Sequence, residues 1–229
     1  SKGIETKNNE LLSELIKKIF PKSNLAVLSG PCFAKEVAMQ LPTAITLSCE
    51  SLKYFNRVKD LITKKYFRVY YNNDLIGSQL GGSVKNVYAI GAGIIIGLRL
   101  GENAKSAYIS RSFAEIIRLG KIMGAKEKTF FGLSGLGDLI LTCNSKKSRN
   151  TAFGIEIVNH RQKKIINILK NKKTVIEGYY TSKALFNLSK KYKIDMPISK
   201  SIYKILYKKA NIHNEIELIL NRSIKKEFY

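Results

Sequence analysis

Apolar positions along the first third of the chain switch between two periods. Leu12, Leu15, Ile16, Ile19 and Phe20 recur at helical spacing, and Pro21 ends the run. A short apolar stretch at 25–28 follows and closes on Ser29-Gly30-Pro31, the pattern of a strand running into a turn. Residues 44–48 read as a second strand and 67–71 as a third. Between them, Leu52, Phe55, Val58 and Leu61 mark one face of another helix. Strand and helix in alternation predict an α/β layer with a largely parallel sheet. With three strands and two helices, it is an incomplete doubly wound sheet. Beyond about Asp74 the strand signals stop. Helical periodicity predicts helices at 84–97, 104–123, 181–192, 199–208 and 215–220. The chain thus divides into residues 1–74, an α/β part, and 75–229, an all-helical part, with no repeat and no low-complexity linker between them.

Composition narrows the partners. With 229 residues and 45% hydrophobic positions, the chain has enough apolar surface for a core, which excludes a disordered protein. The net charge of +23 is extreme and invites an anionic partner. The lysines are scattered over helical surfaces, as at Lys17-Lys18, Lys163-Lys164, Lys190-Lys191 and Lys208-Lys209, and they do not form one block. That distribution argues against a nucleic-acid platform. The same charge leaves room for peripheral membrane contact. Cys32, Cys49 and Cys143 are odd in number and widely spaced, which reads as reduced thiols in a cytoplasmic protein. Residues 87–98 carry no charge, but the run is short for a membrane span and reads as a buried helix. The chain opens on Ser1-Lys2-Gly3 with neither an apolar signal nor an initiator Met, and it reads as a cut start.

An α/β layer of this kind raises the question of a nucleotide site. Such a site needs Gly-x-Gly-x-x-Gly between a first strand and a first helix. Gly91-Ala92-Gly93 and Gly135-Leu136-Gly137 both sit in helical pattern, so neither is that fingerprint. The expectation is that the fingerprint lies upstream of Ser1.

Four segments carry candidate chemistry: Ser1-Lys2-Gly3-Ile4-Glu5; Ser29-Gly30-Pro31-Cys32-Phe33-Ala34-Lys35-Glu36; Gly81-Gly82-Ser83-Val84-Lys85-Asn86-Val87 with Gly91-Ala92-Gly93; and Gly135-Leu136-Gly137-Asp138-Leu139 continuing through Leu141-Thr142-Cys143 to Ser148-Arg149-Asn150 and Phe153-Gly154. Taken singly, each has a bland reading. Lys85 is one helix lysine among many, although Gly81, Gly82 and Ser83 permit close approach of a backbone or ligand. Asp138 suits a helix cap, and Arg149 suits an exposed helix start. His160 and His213 fall in no motif, and no carboxylate and His cluster suggests a metal.

In this order and at these separations the four segments closely resemble the bacterial NAD(P)-dependent glycerol-3-phosphate dehydrogenases, over residues 1 to about 207. The resemblance implies the C-terminal part of a dinucleotide-binding Rossmann-like domain at 1–74. It implies an all-α substrate domain of the 6-phosphogluconate dehydrogenase C-terminal type at 75–229. It also implies NAD(P)H as cofactor and reversible reduction of dihydroxyacetone phosphate to sn-glycerol 3-phosphate, which feeds phospholipid synthesis. Lys85 takes the position of the general base. A lysine does that work at neutral pH only with a lowered pKa, for which Lys2 and Arg149 are the candidate neighbouring cations. Lys2, Gly30, Cys32, Asp138, Ser148, Arg149 and Asn150 match substrate contacts, with Arg149 as a planar fork for phosphate. Lys2, Ala34, Arg149, Val175 and Glu177 match cofactor positions. Cys32 departs from the family's usual hydroxyl residue, and Ser112 from its usual glycine. Three alternatives stay open: a remnant or split enzyme that keeps only the substrate site, a related dehydrogenase of another hydroxy acid, and a basic nucleic-acid or membrane-surface binder; a homodimer or a separate N-terminal fragment is the further partner the chain would take.

Overall fold

In the computed structural model, residues 3–159, 165–171, 174–224 and 226 are described. The chain opens with α1 (Leu12–Ile19), β1 (Ala26–Ser29), α2 (Ala34–Ala38), β2 (Thr43–Cys49), α3 (Leu52–Ile62) and β3 (Phe67–Asn72). The strands form one sheet in the order β1-β2-β3. β2 and β3 run parallel, with Thr43 opposite Phe67, and α3 crosses between them as a βαβ unit requires. β1 and β2 run antiparallel, with Ala26 opposite Cys49. The sheet is therefore mixed, where the strand and helix pattern predicted a largely parallel one. The reason lies in the connection. Between β1 and β2 the only helix is the five-residue α2, too short to carry the chain back along a sheet face.

After β3 the described residues contain no further strand. The helices are α4 (Leu75–Gly97), α5 (Gly101–Ile122), α6 (Glu127–Phe131), α7 (Asp138–Asn144), α8 (Arg149–Asn159), α9 (Ile165–Asn171), α10 (Glu177–Lys191), α11 (Pro197–Tyr207) and α12 (Ile212–Leu220), with a π-helical turn, Leu133–Gly137, leading into α7. α4 starts at Leu75 rather than at residue 84. Its first turns are rich in Gly and Ser, which hides them from an apolar-period reading. They are helical because the Asp74 side chain caps them, accepting from Gly77 N at 2.8 Å, and because neighbours press on the glycine faces. Asp74 also accepts from Lys126 N at 2.9 Å, tying the β3–α4 junction to the start of α6.

α4 is the axis of the helical part. It is buried almost continuously from Gly77 to Ile94, and α5, α7, α8, α10 and α11 surround it. By length and composition it is the one described helix that would cross a membrane, yet most of it lies inside the fold. The closest crossing is with α8. A Cβ on Gly93 would fall 2.9 Å from Gly154 Cα, and one on Gly154 equally close to Gly93 Cα, so both positions exclude any larger residue.

Acids lie inside this core as well, Glu115 among them. Glu115 on α5 is only 1% exposed and accepts from Ile198 N (2.7 Å), Ser199 N (3.1 Å) and Tyr88 Oη (3.1 Å). It joins α4, α5 and the first turn of α11. Ser112, one turn earlier on α5, is also fully buried. Burial pushes the Glu115 carboxyl up from 4.5 to about 7, against the pull of its hydrogen bonds. The native state therefore holds a proton between those two values that the unfolded chain releases. Stability from this group is full below about 4.5 and fades as pH rises through about 7. We expect the wild type to lose up to about 3 kcal/mol relative to Glu115→Gln across that window. Urea unfolding at several pH values measures it, and parallel pH profiles for the two proteins would refute the assignment.

Candidate active site

Lys85 is not a surface lysine. It sits mid-α4, 6% exposed, whereas Lys190, Lys191, Lys208 and Lys209 are exposed. Its ammonium pairs with the fully buried carboxylate of Asp138 and donates to Thr142 Oγ1 at 2.8 Å. Thr142 Oγ1 donates in turn to the Asp138 carbonyl at 2.6 Å. Asp138 and Thr142 stand one turn apart on α7, so a single helix face presents both groups to Lys85. The π-helical turn just before α7 sets where that face points, a common use of such turns. The glycines ahead of Lys85 are contact points for protein atoms: Gly81 meets the Ser134 carbonyl, and a Cβ on Gly82 would fall 2.6 Å from Ser29 Oγ. Cys143, beside the pair, is pushed up to about 12, mainly by burial, with Asp138 adding and Lys85 opposing.

A second cluster adjoins the first. Asn86, next to Lys85, donates to Glu177 Oε2 at 3.0 Å and accepts from Asn150 Nδ2 at 3.0 Å. Asn150 Oδ1 accepts from Gly178 N at 3.0 Å. The starts of α8 and α10 thus converge on the middle of α4. Ser148 is buried and caps α8 with its hydroxyl, which accepts from Thr151 N at 3.3 Å. Arg149, the first residue of α8, is exposed, while Ser148 and Asn150 on either side are buried. Val175, just before α10, is 61% exposed.

The α/β layer packs on α4 through β1 and β2. Gly30 follows β1 with φ +142°, a conformation open to glycine, and its Cα side faces the Ile45 backbone. Ser29 Oγ is buried and has no hydrogen-bond partner among the described residues. Cys32 is exposed, as is Ala34 in the first turn of α2. Lys147 Nζ bonds Glu36 Oε1 at 2.9 Å, linking α2 to the segment that leads into α8. Lys2 and His160 lie outside the described residues. Gly3, however, docks on α4: its N–H donates to Ser83 Oγ at 3.0 Å and its carbonyl accepts from that hydroxyl at 3.2 Å.

The structure thus gathers Lys85, Asp138 and Thr142 in one group and Asn86, Asn150 and Glu177 in the next. Val175 and Arg149 are exposed. Thr142 and Asn86 were not singled out from sequence. The four-residue step from Asp138 to Thr142 and the adjacency of Asn86 to Lys85 are the signals that point to them. The charged neighbour found at Lys85 is the Asp138 carboxylate, which the sequence also offered as a group to orient it, and not one of the candidate cations. His213, in no motif, is exposed on α12.

A partial nucleotide-type sheet, set on a helical part with a buried lysine and a helix start bearing arginine, is the arrangement expected of a two-part dehydrogenase. Family models bear this out: the C-terminal part of the NAD-dependent glycerol-3-phosphate dehydrogenases matches residues 74–217, and the N-terminal part matches residues 1–55. The glycerol-3-phosphate dehydrogenase [NAD(P)+] of Francisella tularensis is 43% identical over 227 residues, covering 99% of this chain and 68% of that protein. The crystal structure of the Coxiella burnetii glycerol-3-phosphate dehydrogenase superposes with a TM-score of 0.92 at 37% identity, covering 96% of this chain and 67% of that one. The Saccharomyces cerevisiae enzyme superposes with a TM-score of 0.84 at 27% identity, covering 95% and 66%. The chain belongs to the NAD-dependent glycerol-3-phosphate dehydrogenase family of oxidoreductases.

Removing one member of a buried pair strands the other. Asp138→Ala should cost about 3–5 kcal/mol in unfolding free energy, because the Lys85 ammonium stays buried without its counter-charge. Lys85→Met combined with Asp138→Leu should recover most of that loss. Denaturant midpoints measure both, and an Asp138→Ala protein as stable as wild type would contradict the pairing.

Proposed function

We propose that this chain carries the substrate and proton-transfer machinery for the reversible reduction of dihydroxyacetone phosphate to sn-glycerol 3-phosphate, with residues 1–74 and 75–229 forming the two walls of the cleft. The observation that carries the reading is the Lys85–Asp138–Thr142 group, a buried proton carrier held by a carboxylate and a hydroxyl.

Each residue has a task in this reading. The Lys85 ammonium donates a proton to the carbonyl oxygen as the ketone becomes an alcohol, and in reverse the amine takes the hydroxyl proton. Asp138 and Thr142 fix the direction of Nζ, and Asp138 stands within reach of a substrate hydroxyl. Arg149 anchors the phosphate with its planar fork, aided by the N–H groups and dipole of the α8 start. Ser148 and Asn150 hold that helix start in position, and Ser148 keeps its oxygen near the anion. Lys2, Gly30 and Cys32 complete the substrate pocket from the α/β side.

The cofactor positions fit a ligand that lies across the two walls. Ala34, Arg149 and Val175 are exposed, and Glu177 is fixed by Asn86 beside the catalytic turn. The Ser29 hydroxyl at the end of β1, unpartnered among the described residues, is a buried polar atom on the same wall. When bound with the help of Lys2, Ala34, Arg149, Val175 and Glu177, NAD(P)H supplies the hydride. A cytoplasmic setting, with a phosphorylated small molecule as partner, completes the proposal.

Oxidation of NADH and NADPH by this chain with dihydroxyacetone phosphate tests it. Lys85→Ala should lower kcat by roughly 10²–10⁴-fold. Arg149→Gln should act mainly on KM for the phosphorylated substrate. Turnover unchanged in Lys85→Ala would reject the assignment of the proton carrier.

A further inference from the structure

A second polar cleft lies away from Lys85. It has a volume of about 380 Å³ and opens between α5, the start of α11 and the segment after α12. None of its lining residues belongs to the two clusters described above. Three arginines line it: Arg111 and Arg118 from α5, and Arg222 beyond α12. Arg111 and Arg118 are seven residues apart, two helical turns, so they share one face.

The acids in the cleft are Glu115 and Asp195, and both are engaged. The Glu115 oxygens accept from Ile198 N, Ser199 N and Tyr88 Oη. Asp195 Oδ2 accepts from Arg222 at 2.6 Å. Arg118 attracts the Glu115 charge, but its buried Nε has no hydrogen-bond partner among the described residues. A buried guanidinium N–H without an acceptor is costly, and a guanidinium edge matches a tetrahedral oxyanion in pairs. Pro197, Ile198 and Ile219 line the rest of the cleft with apolar surface. Its size is that of a small-molecule site.

We propose that this cleft is an anion site, separate from the substrate site, that takes a phosphate group on the Arg111 and Arg118 guanidiniums. Two sources share that chemistry: free inorganic phosphate and the phosphate of a small ester whose body packs on Pro197 and Ile219. The apolar wall favours the ester.

Calorimetric titration with inorganic phosphate, and separately with 2-phosphoglycerate, tests the proposal on the intact chain. Because the proposed substrate site also takes phosphate, each titration is repeated on Arg149→Gln. A saturable site should persist in that variant. It should weaken roughly tenfold or more in Arg111→Gln, the loss of one charge-assisted hydrogen bond. Arg118→Lys keeps the charge but removes the fork and Nε, and should weaken binding by a similar factor while the melting temperature shows the chain still folded. Tighter binding of 2-phosphoglycerate than of phosphate assigns the cleft to an ester, and equal binding to the free ion. Binding that vanishes in Arg149→Gln, or that is unchanged in both Arg111→Gln and Arg118→Lys, overturns the proposal. So does the lack of any saturable binding at millimolar concentration.

Discussion

The structure depends on burying α4 on every side. A helix that is apolar around most of its circumference has no solvent face, so other elements must enclose it completely. Here five helices do so, and the glycines set how closely they come. Gly93 and Gly154 let α8 lie almost backbone to backbone on α4. That approach brings Asn150 within bonding distance of Asn86, and through Gly178 it brings in the start of α10. The same enclosure makes Lys85 unusual. A charge in that position is tolerated because Asp138 and Thr142 reach it from α7. The packing constraint and the Lys85–Asp138–Thr142 group are therefore one arrangement, and a change that loosens the α4–α8 crossing also disturbs the polar contacts beside Lys85.

Much of this was legible in the residues. The strands were found within a residue or two because β-type runs ended on Gly, Pro or polar turns. The long amphipathic helices α5, α11 and α12 announced themselves by period. The misses share a cause. The first turns of α4 are made of Gly and Ser, chosen for what they touch rather than for helix propensity, so their periodicity is silent. α6, α7 and the π-helical turn are short, and their form comes from tertiary contacts. The antiparallel β1–β2 pairing depends on how far α2 carries the chain, which apolar spacing does not encode.

The chemistry divides in a similar way. Lys85, Asp138 and Arg149 were nameable from an ordered set of motifs. That Lys85 and Asp138 meet, from positions 53 residues apart, is a tertiary fact. Ser148 illustrates a residue whose two readings coexist. Its hydroxyl caps α8, and that cap leaves the N–H groups of Arg149 and Asn150 at a helix start suited to an anion. Glu115 gave no sequence signal at all: an acid in an amphipathic helix reads as solvent-facing, and only the arrival of the α11 N-terminus makes it a buried acceptor.

The charge of +23 takes on a different meaning once the folded chain is considered. Most lysines are solvated and screened beyond about 8–10 Å at physiological salt, so their number says little about any single site. What discriminates is burial and pairing. Lys85 is buried and matched by a carboxylate; Arg118 carries a buried Nε with no acceptor among the described residues. Arg149 is exposed at a helix start, where a dipole adds to its charge. In a chain this basic, the informative cations are those whose surroundings differ from water. The sequence composition hides them, and the geometry of α4, α5 and α8 separates them from the rest.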